Sequence, residues 1–182
     1  MFYQFDQDAT ILAVDVDNIT ITGNSPRAIK QFKDNLSLRY SIKYIGSLQW
    51  LLRIGIERDR EKRTISFSQT TYIQMIIECF RMEEAKPLSV PINPRHNLTK
   101  SQSPSDPQEI EEIRCIPYRE AIGSLMYAVV GTRLDIAYAI SYLARFMANP
   151  GHAHWEAVKH VIRYLKGTKD TKLILRKGST LN

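Results

Sequence analysis

Cysteine is scarce in this chain. Cys79 and Cys115 are its two thiols, and they stand far apart. Their separation fits neither a zinc site nor a redox Cys-x-x-Cys, so reduced structural thiols are expected. Long apolar runs are also missing. Nothing approaches the roughly 18 apolar residues that a bilayer-crossing helix needs, so no membrane partner is expected. The opening MFYQFDQDAT carries acids and neither a basic nor an apolar leader stretch. No signal peptide is therefore expected, and the location predicted is intracellular, cytoplasm or nucleus. Without a leader, the sequons Asn18-Ile19-Thr20 and Asn97-Leu98-Thr99 carry no weight. There is no internal repeat.

What remains is ordinary globular material with a basic bias. The 182 residues suffice for one domain or two small subdomains with a real core, and 43% are apolar against 24% charged. The net charge of +6 admits nucleic acid as a partner. It is unevenly spread. From Gly151 to Asn182 there are seven basic residues, including Lys159, Arg163, Lys166 and Lys169, against Glu156 and Asp170. An anionic contact and a merely solvated lysine-rich face both fit that imbalance.

The pattern along the chain predicts an α+β fold. Residues 10 to 23 read as two short strands with a break near Val16 to Asn18. Ser25-Pro26 is a helix start, serine capping and proline occupying the first turn, and Ile29, Phe32, Leu36 and Tyr40 continue it at helical spacing to about Arg39. SIKYIGSLQWLLRIGIERD and TISFSQ read as strands around the charged turn RDREKR. SQTTYIQMIIECF reads as a second amphipathic helix. Six of the eight prolines stand between residues 87 and 117 and predict an irregular linker. Beyond it the chain reads as helical: PYREAIGSLMYAVV, then LDIAYAISYLARFM behind a Thr132–Asp135 capping box and stopped by Asn149-Pro150, then about His154 to Lys166. His152, His154 and His160 have no acid or cysteine at ligand spacing, so capping or packing is their expected role.

The stretch ILAVDVDNITITG raises the chemical question. Asp15, Asp17 and Asn18 stand between β-branched runs, and three readings fit them. The first is a polar turn, since Asp and Asn favour turns. The second is a phosphatase of the haloacid dehalogenase type, with Asp15 as nucleophile and Asp17 as acid/base. Ile19 stands where that motif has threonine, and no later strand carries paired aspartates. The third is a polymerase palm, in which carboxylates on adjacent strands hold two magnesium ions roughly 4 Å apart. Positions i and i+2 of a strand share a face, so Asp15 and Asp17 would point together if both lay in one strand.

Two longer stretches bear on the choice. GSLQWLLRIGIERDREKRTISFSQTTYIQMIIECFRMEEAKPLSVPINP and YREAIGSLMYAVVGTRLDIAYAISYLARFMANPGHAHWEAVKHVIRYLKGT resemble the copia-type retrotransposon reverse transcriptase, over nearly all of residues 2 to 178. The resemblance implies RNA-directed DNA synthesis by two-metal chemistry in the parent enzyme. It also implies a division into the end of a palm with primer-grip strands (1–60), a thumb-like strand and helix (61–86), a Pro/Ser-rich linker (87–112) and a helical connection segment before ribonuclease H (113–182).

The site residues follow from that resemblance. Asp17 matches the first hairpin aspartate of the family's (Tyr or Ala)-Val-Asp-Asp. Asn18 stands at the second, Asp15 at the Tyr or Ala position, Arg53 at the glycine of the primer grip, and Leu134 at the proline of TRPD. Metal ligation would fall to Asp17, with Asp15 as an auxiliary donor. Magnesium is the family's cofactor, but a functional ion is not expected here. The family's fingers, its other palm aspartate and ribonuclease H match nothing in this sequence, so no polymerase activity of the chain alone is expected. Primer–template duplex is the implied partner, through phosphates at Arg53, Lys159, Arg163 and Lys166, together with the rest of a polyprotein. A non-enzymatic nucleic-acid-binding or interaction module is the alternative, and the phosphatase a distant one.

Overall fold

The computed structural model describes residues 2–5, 8–93 and 97–176. Pro94 of the expected linker and Lys177 of the basic tail lie outside them. The chain forms two compact units, residues 1–48 and 49–182.

The first unit is a three-stranded antiparallel sheet, β1 (Phe2–Phe5), β2 (Asp8–Asp15) and β3 (Asn18–Gly23), with helix α1 (Pro26–Ser37) packed on β2 and β3. The helix begins where the sequence places it: the Ser25 hydroxyl accepts from the Ala28 N–H at 3.3 Å, and Pro26 occupies the first turn. Asn24 closes the open end of the sheet, its side-chain oxygen accepting from the Ala9 N–H at 2.8 Å. Gly23 is fixed by proximity, because a Cβ there would lie 2.7 Å from the Ala9 carbonyl oxygen. This unit has little core. Thr10 and Leu12 are buried, α1 buries no side chain, and Val14, Val16, Leu38, Tyr44 and Ile45 are exposed.

The second unit carries a four-stranded antiparallel sheet in the order β4 (Trp50–Leu51), β5 (Ile54–Asp59), β6 (Thr64–Ser68), β7 (Leu173–Arg176). Between β6 and β7 the described residues form five α-helices: α2 (Thr70–Cys79), α3 (Pro107–Arg114), α4 (Tyr118–Gly131), α5 (Ala137–Ala144) and α6 (His152–Gly167). One apolar core joins them. Ile73, Ile76 and Ile77 of α2 meet Ile122 and Leu125 of α4, Ile140 and Leu143 of α5, and Val158, Val161, Ile162 and Leu165 of α6. The helical spacing of these residues is what carries the unit's stability, since burying each such side chain contributes about 1.5–3 kcal/mol.

Several details differ from the sequence reading. Strands β4 and β5, expected above as a primer grip, pair within the second unit's sheet, whereas the β2–β3 hairpin lies in the first unit. Within 87–112, Asp106 caps α3 by accepting from the Gln108 N–H at 3.2 Å, with Pro107 in its first turn. The basic tail includes a strand, β7, paired to β6. Thr132 and Asp135 make no capping box: Thr132 ends α4 and donates to Gln69, while Asp135 pairs with Arg133. A short 3-10 turn, Leu134–Ile136, opens α5, which ends at Ala144 and not at Asn149. Cys79 and Cys115 are free and exposed, so neither is a packed core thiol.

Candidate functional site

The β2–β3 hairpin turns on two residues. Asp15 pairs with Asn18 across the strands, leaving Val16 and Asp17 as the loop. Val16 has φ of 50°, a left-handed conformation that a β-branched residue adopts only under strain. Asp17 and Asn18 are exposed, and Asp15 is half-buried. The turn removes Asp17 from the strand, so the face-sharing of Asp15 and Asp17 that a continuous strand would give does not hold here. Among the described residues no three His, Cys, Asp or Glu side chains come together as metal ligands. Two carboxylates and one neutral amide at an exposed tip do not by themselves fit a pair of magnesium ions, whose positions need several shared carboxylates.

Asp15 ends a strand of an antiparallel sheet, and every strand pair among the described residues is antiparallel. The open parallel sheet on which a dehalogenase-type nucleophile sits is not present among them.

The four basic positions occupy two places. Arg53 lies in the β4–β5 turn, where Leu52 and Arg53 both take positive φ (49° and 61°), the pattern of a type I′ hairpin loop. Its guanidinium reaches the Met75 sulfur at 3.1 Å. Tyr127 donates to the Leu52 carbonyl and ties the turn to α4. Lys159, Arg163 and Lys166 are on α6, and each has a protein partner. Lys159 pairs with Glu156 at 2.5 Å, Arg163 Nε donates to the Lys86 carbonyl at 2.7 Å, and Lys166 donates to the carbonyls of Glu83 and Ala85.

A charged cluster that sequence reasoning missed lies deeper. Arg133 is fully buried. Its Nε and Nη2 hold both Asp135 oxygens at 3.0 and 2.7 Å. Nη1 donates to the Thr168 carbonyl at 3.1 Å and Nη2 to the Thr168 hydroxyl at 2.6 Å. Tyr164 donates to Asp135 at 2.7 Å. Burial works against the Asp135 charge, but the Arg133 and Tyr164 hydrogen bonds and the Arg133 cation outweigh it and bring the carboxyl below its usual range. Burial raises the Tyr164 hydroxyl, and so does the neighbouring carboxylate. Thus TRLD and RYLKGT, distant in sequence, grip one another. Beside them Thr132 donates to Gln69 at 2.8 Å, and a Cβ on Gly131 would collide with the Gln69 amide. No local signal marks these contacts; only the joint presence of an arginine, an acid and a tyrosine hinted at them.

Of the three histidines, His154 behaves as a packing and capping group. His154 is buried, accepts the Gly151 N–H on Nδ1 at 2.8 Å and stacks on Phe146 with ring centroids 4.1 Å apart. Burial pushes its pKa down, partly offset by a Thr99 backbone contact.

Residues 1–94 match the family described as reverse transcriptase (RNA-dependent DNA polymerase). Over 158 residues the chain is 42% identical to the retrovirus-related Pol polyprotein from transposon TNT 1-94 of Nicotiana tabacum, covering 87% of this chain and 12% of that protein. It is 38% identical to the Pol polyprotein from transposon RE1 of Arabidopsis thaliana, covering 94% of this chain and 11% of the other. An uncharacterised mitochondrial protein of Arabidopsis thaliana is 32% identical, with 92% of this chain matched to 65% of that one. The chain thus spans about an eighth of the two Pol polyproteins. No solved structure matches. No described helix is long and apolar enough to cross a membrane.

Proposed function

Since the chain belongs to the reverse transcriptase family of copia-type retrotransposons, we propose that it supplies one portion of an RNA-directed DNA polymerase. In this reading residues 1–60 hold the end of the palm and the primer grip, 61–86 are thumb-like, and 113–182 form a connection toward ribonuclease H. The observation that carries the reading is the tight β2–β3 hairpin with Asp17 exposed at its tip. Reverse transcriptases use magnesium, which neutralises charge on the reacting phosphates when bound. This chain's part is to present one carboxylate, Asp17, where further carboxylates would have to complete the site. Arg53, Lys159, Arg163 and Lys166 contribute positive charge toward the phosphates of a primer–template duplex. Alone, Asp15 and Asp17 of the hairpin are too few carboxylates to hold two ions in register for in-line displacement, so no polymerisation is expected of the isolated chain.

The test is a graft. Residues 11–23 replace the matching hairpin in an active copia-type enzyme, and primer extension is measured with magnesium. The graft carrying Asn18 extends slowly, Asn18→Asp raises the rate, and Asp17→Ala abolishes it. A graft indifferent to Asp17→Ala would refute the assignment. The isolated chain should give no extension with or without Asn18→Asp. It should still bind duplex with a slope of log affinity against log salt near −3 if about three phosphates are engaged. That binding is expected to ignore base sequence. Duplex binding without any Asp17 dependence in the graft would favour the alternative, a binding module with no part in catalysis.

A further inference from the structure

Residues 82–90 are strapped across α6. Lys166 donates to the carbonyls of Glu83 and Ala85, Arg163 Nε to the Lys86 carbonyl, the Leu88 N–H to the Arg163 carbonyl at 3.3 Å, and the His160 ring bonds the Val90 carbonyl at 3.0 Å. Gly167 lets the strap lie close, since a Cβ there would come 3.1 Å from the Pro87 Cβ. Strap and helix enclose an open cleft of about 570 Å³, with Met82, Ala85, Lys86, Glu156, Lys159 and Arg163 in its walls. A cleft of this size accepts a nucleotide-sized group.

The charge in the walls is lopsided: three cations face one carboxylate. The strap's own hydrogen bond takes only Nε of Arg163, so the Nη fork remains as a bidentate donor, the geometry that suits phosphate oxygens. Lys86 is held through its carbonyl, which leaves its side chain outside the strap's restraints. Glu156 occupies Lys159 at 2.5 Å and is the group an anion would displace. Met82 and Ala85 add an apolar surface beside the cations, suited to a sugar or base face.

We propose that this cleft binds a phosphate group, with Lys86, Lys159 and Arg163 as its ligands and Glu156 as the internal competitor. The proposal narrows the phosphate-contact reading above, on which it rests for a nucleic-acid source. Free nucleotide is the other source of the same chemistry. Lys86 is new to the set, because its role depends on the strap and not on the helix pattern.

The full chain is titrated at low ionic strength with inorganic pyrophosphate, followed by backbone amide shifts. Saturable shifts are expected at Lys86 and along α6 around Lys159 and Arg163. Lys86→Gln weakens binding about fivefold, the scale of one exposed ion contact, and leaves the strap's carbonyl tether in place. Glu156→Gln tightens it by a similar factor. Lys62→Gln, in the β5–β6 turn, changes nothing. The proposal is overturned by non-saturable shifts, by equal weakening from Lys62→Gln and Lys86→Gln, or by weaker binding in Glu156→Gln. A parallel titration with oligothymidylate of about eight nucleotides separates the sources. Pyrophosphate binding without oligonucleotide binding keeps the cleft and fails the nucleic-acid reading. Oligonucleotide binding indifferent to Lys86→Gln, without pyrophosphate binding, keeps that reading and overturns the cleft.

Discussion

Asp135→Ala is the sharpest test of the buried cluster. It removes both carboxylate oxygens that neutralise Arg133 and leaves the guanidinium, 1% exposed, with Thr168 as its described acceptor. Breaking a buried pair by deleting one partner costs about 3–5 kcal/mol. The Asp135 side chain is 37% exposed, so water can partly replace it, and about 2–3 kcal/mol is the better expectation. Trp50 and Trp155, the chain's two tryptophans, both lie in the second unit, so tryptophan emission during urea unfolding follows that unit alone. With m of about 2 kcal/mol/M, the midpoint should fall by roughly 1–1.5 M at unchanged m. Replacing the cation as well, in Arg133→Met with Asp135→Ala, should recover part of the loss, because the stranded charge is gone. A midpoint shift below about 0.3 M, or strictly additive single and double variants, would refute the reasoning.

Three other outcomes are expected. Arg53→Gly should raise the urea midpoint by the equivalent of about 0.5–1 kcal/mol, since it relieves a non-glycine φ of 61° at the loss of one weak sulfur contact. Gly131→Ala should lower it by about 2 kcal/mol by pushing the Gln69 amide off Thr132, whereas Gly123→Ala, where a Cβ meets nothing, should not destabilise. His154 is held neutral, with its folded pKa below the ordinary value near 6.5. The unfolded chain then takes up a proton first, so stability from this residue is present above about pH 6.5 and is lost as pH falls toward the folded pKa. Chemical denaturation at stepped pH should show that decline, and His154→Gln should flatten it while lowering stability at neutral pH.

Local chemistry was legible where it stayed local. Ser25-Pro26 gave away α1, the RDREKR turn separated β5 from β6, and apolar spacing marked α2, α4 and α6. Pro107 misled because proline density was read as irregularity, although Asp106-Pro107 is also a helix start. Strand β7 was hidden by its brevity and its charge, since Leu173–Arg176 is a strand only by pairing with β6. At the hairpin, the aspartates were visible but the register was not. A two-residue loop at Val16–Asp17 decides that Asp17 leaves the strand face. Arg133 could not be foreseen as buried, because its acceptors at Thr168 come from another helix end.

The pairing of β7 with β6 sets a clock on synthesis. Once Ser68 leaves the ribosome, β5 and β6 can pair, but the outer edge of β6 has no neighbour until Leu173–Arg176 arrives. At about 5–20 residues per second, the intervening stretch of roughly a hundred residues leaves that edge open for roughly 5–20 s. An open edge is a template for any passing strand. During translation the second unit is thus most exposed to mispairing with a neighbouring copy on the same polysome, and the hazard ends when Leu173–Arg176 closes that edge.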